Sequence, residues 1–123
     1  IQHIQNRIKF INSNIDKFYL GKYDLIISNP PYIKNYKINY LDDDVRLYEP
    51  KVALDGGIDG YSEIKKVIKK SSELLKTKGK LVLEIGDKQK SFTNIILKKN
   101  GFYINKIVKD LAKKYRCIIS TKI

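Results

Sequence analysis

A chain of 123 residues, 42% of them hydrophobic, can bury a core but is too short for more than one domain. It has no apolar run long enough to span a membrane and no signal-peptide pattern, and its single cysteine, Cys117, excludes an internal disulfide or a cysteine-based metal cluster. The formal net charge of +12 could mark a nucleic-acid surface, but most basic residues are lysines spread along the chain, which favours a solvated surface.

The first half of the chain predicts two strands followed by a long irregular stretch. Residues 7–12 alternate between polar and apolar side chains, which indicates a strand. Residues 23–28 read as a strand that is apolar on both faces, as in a buried parallel sheet. From 29 to about 60 the chain is irregular, and a stretch of this length in a compact domain is more often functional than not.

The second half predicts alternating helices and strands. We expect helices over 62–79 and 87–100, and strands over 81–85, 102–108 and 116–121. Helical spacing turns Ile64, Val67, Ile68, Leu74, Leu75, Phe92, Ile95 and Ile96 inward. The short connection between the last two strands predicts antiparallel neighbours. The fold class is therefore α/β.

The most informative motif is Asn29-Pro30-Pro31-Tyr32, which directly follows the second strand. In open α/β sheets, ligands bind at the carboxyl ends of the strands. The Asn29 side-chain oxygen and the Pro30 carbonyl can accept the two N–H groups of a planar amide. Pro31 stiffens the loop, and Tyr32 offers a flat face for packing. The tetrad indicates methyl transfer to a planar, weakly nucleophilic nitrogen; the alternative is a plain strand-ending turn.

The tetrad and its surroundings resemble the peptide chain release factor N5-glutamine methyltransferases, which are class I S-adenosylmethionine enzymes. The matching residues are 24–33, Asp44-Val45, Tyr48-Glu49-Pro50, Ala53-Leu54, Gly56-Gly57, Asp59-Gly60, Leu83-Glu84-Ile85-Gly86, Gln89, Lys109-Asp110-Leu111 and Arg116. The tetrad alone is shared with DNA adenine and several RNA methyltransferases. The Tyr-Glu-Pro and Gly-Gly-x-Asp-Gly stretches narrow the choice to the glutamine enzymes.

The resemblance implies a role for each site residue. Asn29 and Pro30 would be the catalytic pair, accepting hydrogen bonds from a glutamine amide in a Gly-Gly-Gln loop of a release factor. Pro31, Tyr32 and Glu49 would complete the substrate-binding site. For Glu49, a helix cap or a plain surface charge is an equal alternative. No metal is implied.

The resemblance also implies an incomplete cofactor site. Asn14 falls where similar enzymes contact the adenine of S-adenosylmethionine, and Asn29 would border the same cofactor. Family members carry a Gly-rich cofactor loop and an acidic ribose-binding residue upstream of the region matched by Ile1, and neither is in this sequence. We therefore expect residues 1–123 to be the carboxyl-terminal part of a single methyltransferase domain. Its Rossmann-like sheet would lack the first two strands, and the chain would be inactive unless another segment completes it.

The sequence alone leaves two other functions as alternatives. The tetrad fits a nucleic-acid amino-group methyltransferase, acting on adenine or guanine, equally well, and the net charge of +12 would help such an enzyme bind its substrate. The missing Gly-rich loop and the absence of methionine fit a non-catalytic remnant of either enzyme. The expected location is the cytoplasm, with a release factor or a nucleic acid as partner and no membrane.

Overall fold

Four strands, two α-helices and one 3-10 turn make up the part of the chain that the computed structural model describes, which is residues 6–31 and 61–123. In chain order they are the 3-10 turn Ile15–Lys17, β1 (Tyr23–Ser28), α1 (Tyr61–Leu74), β2 (Leu75–Glu84), α2 (Lys90–Lys99), β3 (Phe102–Lys109) and β4 (Tyr115–Lys122). Helices and a β-sheet occur together in one fold, which confirms the expected α/β class.

The four strands form one mixed sheet in the order β1-β2-β4-β3. β1 and β2 are parallel, with Ile27 opposite Val82, whereas β4 is antiparallel to both β2 and β3. The predicted antiparallel pairing of the last two strands is thus confirmed. Because β1 and β2 run in the same direction, the residues that follow Ser28 and Glu84 come out at the same end of the sheet.

One face of the sheet carries the hydrophobic core. Alternate strand residues, including Leu81, Leu83 and Ile118, pack with α1 and α2 in a single cluster. The residues predicted to face inward from the first helix are all buried. Ile64, Val67, Ile68 and Leu74 lie in α1, and Leu75 is the first residue of β2. Burying a side chain of this size contributes roughly 1.5–3 kcal/mol relative to leaving it exposed. The helices therefore hold the parallel strands, and with them the site, in place.

The prediction for β1 was right in its bounds but wrong in its burial. Leu25 and Ile27 are 50% and 72% exposed, and Ile26 packs against the core from the opposite face. Side chains alternate between faces along a strand, and α1 and α2 cover only the face that holds Ile26. Within the described residues, nothing covers the face that carries Leu25 and Ile27.

The predicted strand over residues 7–12 is wrong. These residues have no regular structure, they are all exposed, and Phe10 is 93% exposed. A strand requires a hydrogen-bonding partner, and β1 forms an edge of the described sheet without pairing to this segment. Alternation of side chains alone was not enough to place the segment in the sheet.

The predicted end of the first helix at Gly79 is also wrong, because α1 ends at Leu74 and β2 begins at once. Gly79 lies inside β2, next to a register shift between Tyr23 and Leu25 of β1. A Cβ atom on Gly79 would lie 2.8 Å from the Lys76 carbonyl oxygen. This glycine therefore permits a close approach of two backbone segments and does not cap a helix.

The second helix is shorter than predicted, since it starts at Lys90 and not at residue 87. Thr93, Ile96 and Leu97 are its buried residues, so the prediction for Ile96 is confirmed. Phe92 and Ile95 were predicted to face inward but are exposed. The ring of Phe92 instead meets Tyr61 edge-on at 4.3 Å between centroids, at the rim of the core.

Candidate active site at the carboxyl end of the parallel strands

The described part of the tetrad begins where β1 ends. Ser28 is the last strand residue, Asn29 is exposed, Pro30 is buried and Pro31 is exposed. Neither proline has an N–H to donate, so the hydrogen-bond ladder with β2 cannot continue past Asn29. The sequence therefore fixes the end of the strand and leaves the Asn29 amide at the carboxyl edge of the sheet.

Asn29 lines a cleft of about 340 Å³ on the open face of the sheet. The residues around it are Ile27, Ser28 and Asn29 from β1 and its end, Val82 and Glu84 from β2, and Arg116 and Cys117 from β4. Strand register explains this grouping, because Ile27 is paired with Val82 and Glu84 is paired with Cys117. The cleft is thus lined by residues of three strands, with Ile27 and Val82 as its apolar part.

The Asp110 carboxylate holds the Arg116 side chain. Its Nε donates to Asp110 Oδ2 at 3.0 Å, and the other carboxylate oxygen accepts the Lys114 backbone N–H at 3.0 Å. These hydrogen bonds, first that from Lys114 and then that from Arg116, lower the pKa of Asp110. The carboxylate therefore stays ionised and keeps the guanidinium in one orientation.

Cys117 and Glu84 occupy paired positions on neighbouring strands of the cleft. The thiol is half-buried, and burial raises its pKa, with the nearby Glu84 carboxylate adding to the effect. A thiol of this kind is mostly protonated at neutral pH and is a poor nucleophile. It therefore contributes to the wall of the cleft and not to the chemistry.

Two hydrogen bonds hold the backbone that follows Glu84. The buried Gln89 side chain accepts the Gly86 N–H at 2.7 Å, and the Ile85 N–H donates to the Arg116 carbonyl at 2.9 Å. Both bonds lie within a few residues of Glu84. These bonds therefore fix the backbone at the end of β2 relative to the start of β4.

The structure brings together only part of the predicted site. Asn29 lines the cleft, and Pro30 and Pro31 follow it directly. Asn14 is exposed at the start of the 3-10 turn and is not among the residues that line the cleft. Tyr32 and Glu49 lie outside the described residues.

Sequence reasoning missed Glu84 and Arg116 as cleft residues. A signal was present for Arg116, which is one of three arginines among 25 basic residues and follows Asp110 by six positions. Arginine is the basic residue suited to a fixed, forked hydrogen-bonding role, so its rarity here marks it out. Glu84 lies in the Leu83-Glu84-Ile85-Gly86 match to the family, but its place beside Cys117 depends on the register between β2 and β4.

The described ranges, 6–31 and 61–123, offer no metal site and no membrane span. In these ranges, no group of three His, Cys, Asp or Glu side chains could hold a metal ion. No helix in the same ranges is long and apolar enough to cross a membrane.

Comparison with curated proteins gives close relatives, although no family model matches. A release factor glutamine methyltransferase from Clostridium botulinum is 41% identical over 123 residues, which cover 98% of this chain and 44% of the relative. The Fusobacterium nucleatum enzyme of the same name is 41% identical over 99% of this chain and 35% of its own length. This chain is a homologue of the release factor glutamine methyltransferases. The expected family is confirmed, and the chain spans less than half the length of these relatives.

Solved structures show the same fold. A methyltransferase from Pyrococcus furiosus has a TM-score of 0.57 at 23% identity, covering 84% of this chain and 42% of its own. TrmN from Thermus thermophilus has a TM-score of 0.57 at 14% identity, covering 99% of this chain and 30% of its own. A candidate DNA modification methylase from Thermus thermophilus reaches 0.55 at 18% identity, over 88% and 49% of the two chains. The sheet of this homologue is therefore part of a class I methyltransferase, Rossmann-like fold, as expected.

Proposed function

We propose that this chain is the carboxyl-terminal, acceptor-side part of a methyltransferase domain that modifies a glutamine side chain in a release factor. The observation that carries the proposal is the position of Asn29, directly after β1 and inside the cleft at the carboxyl ends of β1 and β2. The relatives from Clostridium botulinum and Fusobacterium nucleatum are named for this acceptor, which supports the choice of glutamine. The partner would be the Gly-Gly-Gln loop of such a factor, in the cytoplasm.

The work of this chain would be to hold the acceptor amide. A glutamine amide nitrogen is a weak nucleophile, because its lone pair is delocalised into the carbonyl. The Asn29 side-chain oxygen and the Pro30 carbonyl would each accept one N–H and fix the direction of the nitrogen. Since Pro30 is buried and Pro31 restricts its backbone, the Pro30 carbonyl would need little rearrangement.

The described residues are better suited to binding the methyl acceptor than to binding the nucleoside part of S-adenosylmethionine. S-adenosylmethionine would supply the electrophilic methyl group when bound. Asn14 and Asn29 are the described residues that we assign to it. The Asn14 side chain makes no capping hydrogen bond to the 3-10 turn, so its amide can face an adenine. Tyr32 and Glu49 keep their proposed substrate-binding roles.

The test is methyl transfer to a short Gly-Gly-Gln peptide, measured for this chain and for a chimera. The chimera joins the chain to the part of the Clostridium botulinum relative that the chain does not match. We expect the chimera to methylate the peptide and the chain alone to bind S-adenosylmethionine too weakly to turn over. Asn29→Ala in the chimera should slow transfer by about 100-fold, as for loss of one pre-organised hydrogen-bonding group.

Asn105→Ala is the matched control, since Asn105 lies on β3 at the opposite edge of the sheet. Equal rates for Asn29→Ala and Asn105→Ala would show that Asn29 does not hold the acceptor. Turnover by the 123-residue chain alone would contradict the proposal that its cofactor site is incomplete.

A second candidate is methylation of an amino group on a nucleic acid. The net charge of +12 would help such an enzyme bind its substrate, but the curated relatives do not favour this function. Phosphate contacts make such binding fall steeply as salt rises. Oligonucleotide affinity that does not change with salt would remove this candidate.

A further inference from the structure

One end of the sheet gathers lysines that are spread along the sequence. Because β1 and β2 are parallel and β4 is antiparallel to β2 and β3, the first three strands begin, and β4 ends, at the end opposite to the cleft. Both helices end there too, since α1 runs directly into β2 and α2 is followed closely by β3. The basic end consists of Lys22, Lys76, Lys78, Lys80, Lys98, Lys99 and Lys122, and the carboxylates described there are Asp24 and Glu73.

Two lysines of the basic end stabilise the last turn of α1. Lys22 Nζ donates to the Glu73 carbonyl oxygen at 2.6 Å. Lys122 Nζ donates to the carbonyl oxygens of Ser72 and Leu75, the latter at 3.1 Å. The last carbonyl groups of a helix have no partner within the helix, and positive charges are favourable there. The end of α1 therefore accounts for Lys22 and Lys122, but not for the other lysines of the basic end.

The end of α2 is capped without its own lysines. The Asn100 side chain and the Asn100 N–H both donate to the Ile96 carbonyl oxygen, at 2.8 and 3.1 Å. The Gly101 N–H donates to the Lys98 carbonyl oxygen at 3.2 Å. The side chains of Lys98 and Lys99 are exposed and form no ion pair with a described residue. Their charges are therefore available to another molecule.

A bulge near the start of β2 carries two more lysines away from the sheet. In the strand pairing, residues 76–79 of β2 lie opposite the single β1 residue Asp24. The extra residues cannot take part in the ladder of hydrogen bonds, so they bulge outward. Lys76 pairs with Asp24 at 3.1 Å, but both groups are more than half exposed, and such a pair contributes little. Lys78 is exposed and has no ion-pair partner among the described residues.

An aromatic ring lies beside these charges on the open face of the sheet. Tyr103 is 62% exposed and is paired with Thr121, which is paired in turn with Lys80. Directly paired residues point to the same face, so the ring and the Lys80 ammonium share one face, about two strand spacings or 10 Å apart. Lys80 Nζ donates to the Thr121 hydroxyl at 2.6 Å, which orients it. On its other side, Tyr103 follows Lys99 by four positions.

We propose that the basic end binds a single-stranded nucleic acid. One base stacks on Tyr103, and the phosphates contact the exposed lysines, which are Lys76, Lys78, Lys80, Lys98 and Lys99. Lysines that follow a phosphate backbone beside an exposed aromatic ring are the features with which proteins bind single strands. The nucleic acid is a docking partner and not a methyl acceptor, because Asn29 lies at the opposite end of the sheet. The proposal does not depend on which group the cleft methylates.

The basic groups at the cleft end are more fully engaged. Lys114 pairs with Asp87 at 3.5 Å, and the ammonium groups of Lys90 and Lys109 lie 4.1 and 4.7 Å from the centre of the Tyr115 ring. An acidic peptide or an anionic membrane would use the lysines of the basic end but would not stack on Tyr103. The ring therefore favours a nucleic acid over these other polyanions.

The test is the affinity of a short fluorescein-labelled oligouridine for the purified 123-residue chain, measured by fluorescence anisotropy at several salt concentrations. The triple variant Lys78→Gln, Lys98→Gln and Lys99→Gln should weaken binding and flatten the dependence of log affinity on log salt concentration. The slope should fall by about 2, because each phosphate contact with a single strand contributes about 0.7.

The matched control is the triple variant Lys88→Gln, Lys113→Gln and Lys114→Gln. It removes the same charge from the turns at the cleft end, where β2 ends and β4 begins. It should leave the salt slope unchanged. The residues changed in both triple variants are exposed, and thermal unfolding separates loss of binding from loss of folding.

Base stacking is tested separately from charge. Tyr103→Ala should weaken oligouridine binding by about tenfold and leave the salt slope unchanged, because it removes a stacking surface and no charge. Tyr103→Phe keeps the ring and should bind like the wild type. Tyr19→Ala is the control, since Tyr19 is also exposed but its ring contacts Lys70 of α1. An abasic phosphodiester of the same length should bind the wild type and Tyr103→Ala equally.

Four outcomes would overturn the proposal. The first is no binding of oligouridine by the wild type. The second is an equal loss of slope in the two triple variants, which would mean that only the total charge matters. The third is a larger loss in the cleft-end variant, which would place the nucleic acid in the cleft. The fourth is oligouridine binding that does not depend on Tyr103, with polyglutamate or phosphatidylserine vesicles bound through the same lysines.

These outcomes are distinct from a failure of the proposed function. If the chimera does not methylate a Gly-Gly-Gln peptide while the basic end still binds oligouridine as expected, the proposed function falls and the nucleic-acid site stands. If the chimera methylates the peptide and the two triple variants bind alike, the nucleic-acid site falls and the proposed function stands.

Discussion

At the scale of single residues, the reactivity of Cys117 can report on the cleft. Cys117 is the only cysteine of the chain, and it lines the same cleft as Asn29 and Arg116. Burial raises the pKa of its thiol, and the Glu84 carboxylate raises it further. The reactivity of one thiol therefore reports on the solvation and the charge of the whole site.

We expect Cys117 to react with iodoacetamide at a higher pH than a cysteine in an unfolded peptide, because alkylation requires the thiolate. Glu84→Gln should move the reaction to lower pH, since it removes the second cause of the raised pKa, whereas Asp87→Asn should not. The measurement is the alkylation rate of the folded chain across pH. A profile that coincides with that of the peptide would contradict the described environment of Cys117.

The same shift has a consequence for folding. Because the thiol pKa is higher in the folded state than in the unfolded chain, its contribution to stability is complete below the ordinary thiol pKa. That contribution is lost as the pH rises through the folded-state value. Cys117→Ser should flatten the alkaline part of the stability profile, which urea unfolding at a series of alkaline pH values measures.

At the scale of elements, the sheet has a covered face and an open face. Leu83 on β2 is fully buried under the helices, whereas Ile27 on β1 is 72% exposed on the opposite face. The two strands are neighbours, and Leu83 pairs with Ser28, the residue next to Ile27. These positions therefore differ in burial while sharing the same part of the sheet.

We expect Leu83→Ala to cost about 2–5 kcal/mol of folding free energy, because it leaves a cavity in the core. Ile27→Ala should change it by only about 0.5 kcal/mol, since little apolar surface leaves water at that position. Urea unfolding of the two variants measures the difference. Equal losses would mean that the open face is covered in solution.

Element prediction succeeded where the periodic pattern was complete within one segment. The four inward residues predicted within α1 and the bounds of β1 were correct, because they depend on local spacing and on the prolines that follow β1. The strand over 7–12 and the inward direction of Phe92 failed. Both depend on a partner, either a neighbouring strand or Tyr61 across the helix rim, that no local pattern reveals.

At the scale of the whole molecule, the open face and the free edge of β1 are exposed together. Leu25 and Ile27 are apolar and solvent-facing, and β1 pairs on one side only within the described sheet. An unpaired strand with an apolar face is a site for edge-to-edge association. The net charge of +12 opposes contact between copies of the chain.

We therefore expect the chain to self-associate more strongly as salt rises. At about 0.1 M salt, charges are screened beyond about 10 Å, so repulsion weakens while the apolar attraction remains. Ile27→Lys should suppress the association, whereas Tyr103→Lys on β3, at the other edge, should have less effect. Sedimentation velocity at several salt concentrations measures this; association that weakens with salt would contradict it.

The sequence by itself determined the end of β1 and predicted a methyl-transfer chemistry. Asn29 and the two prolines after it terminate the strand and supply the proposed acceptor groups, and these are local properties of backbone and side chain. Only the tertiary structure decided which groups share the cleft with Asn29. Glu84 and Arg116 come from strands that are distant in sequence, and the register of β2 against β4 places them together. Register depends on how the helices and strands bury one common core, so it is a property of the packed sheet and not of any single segment.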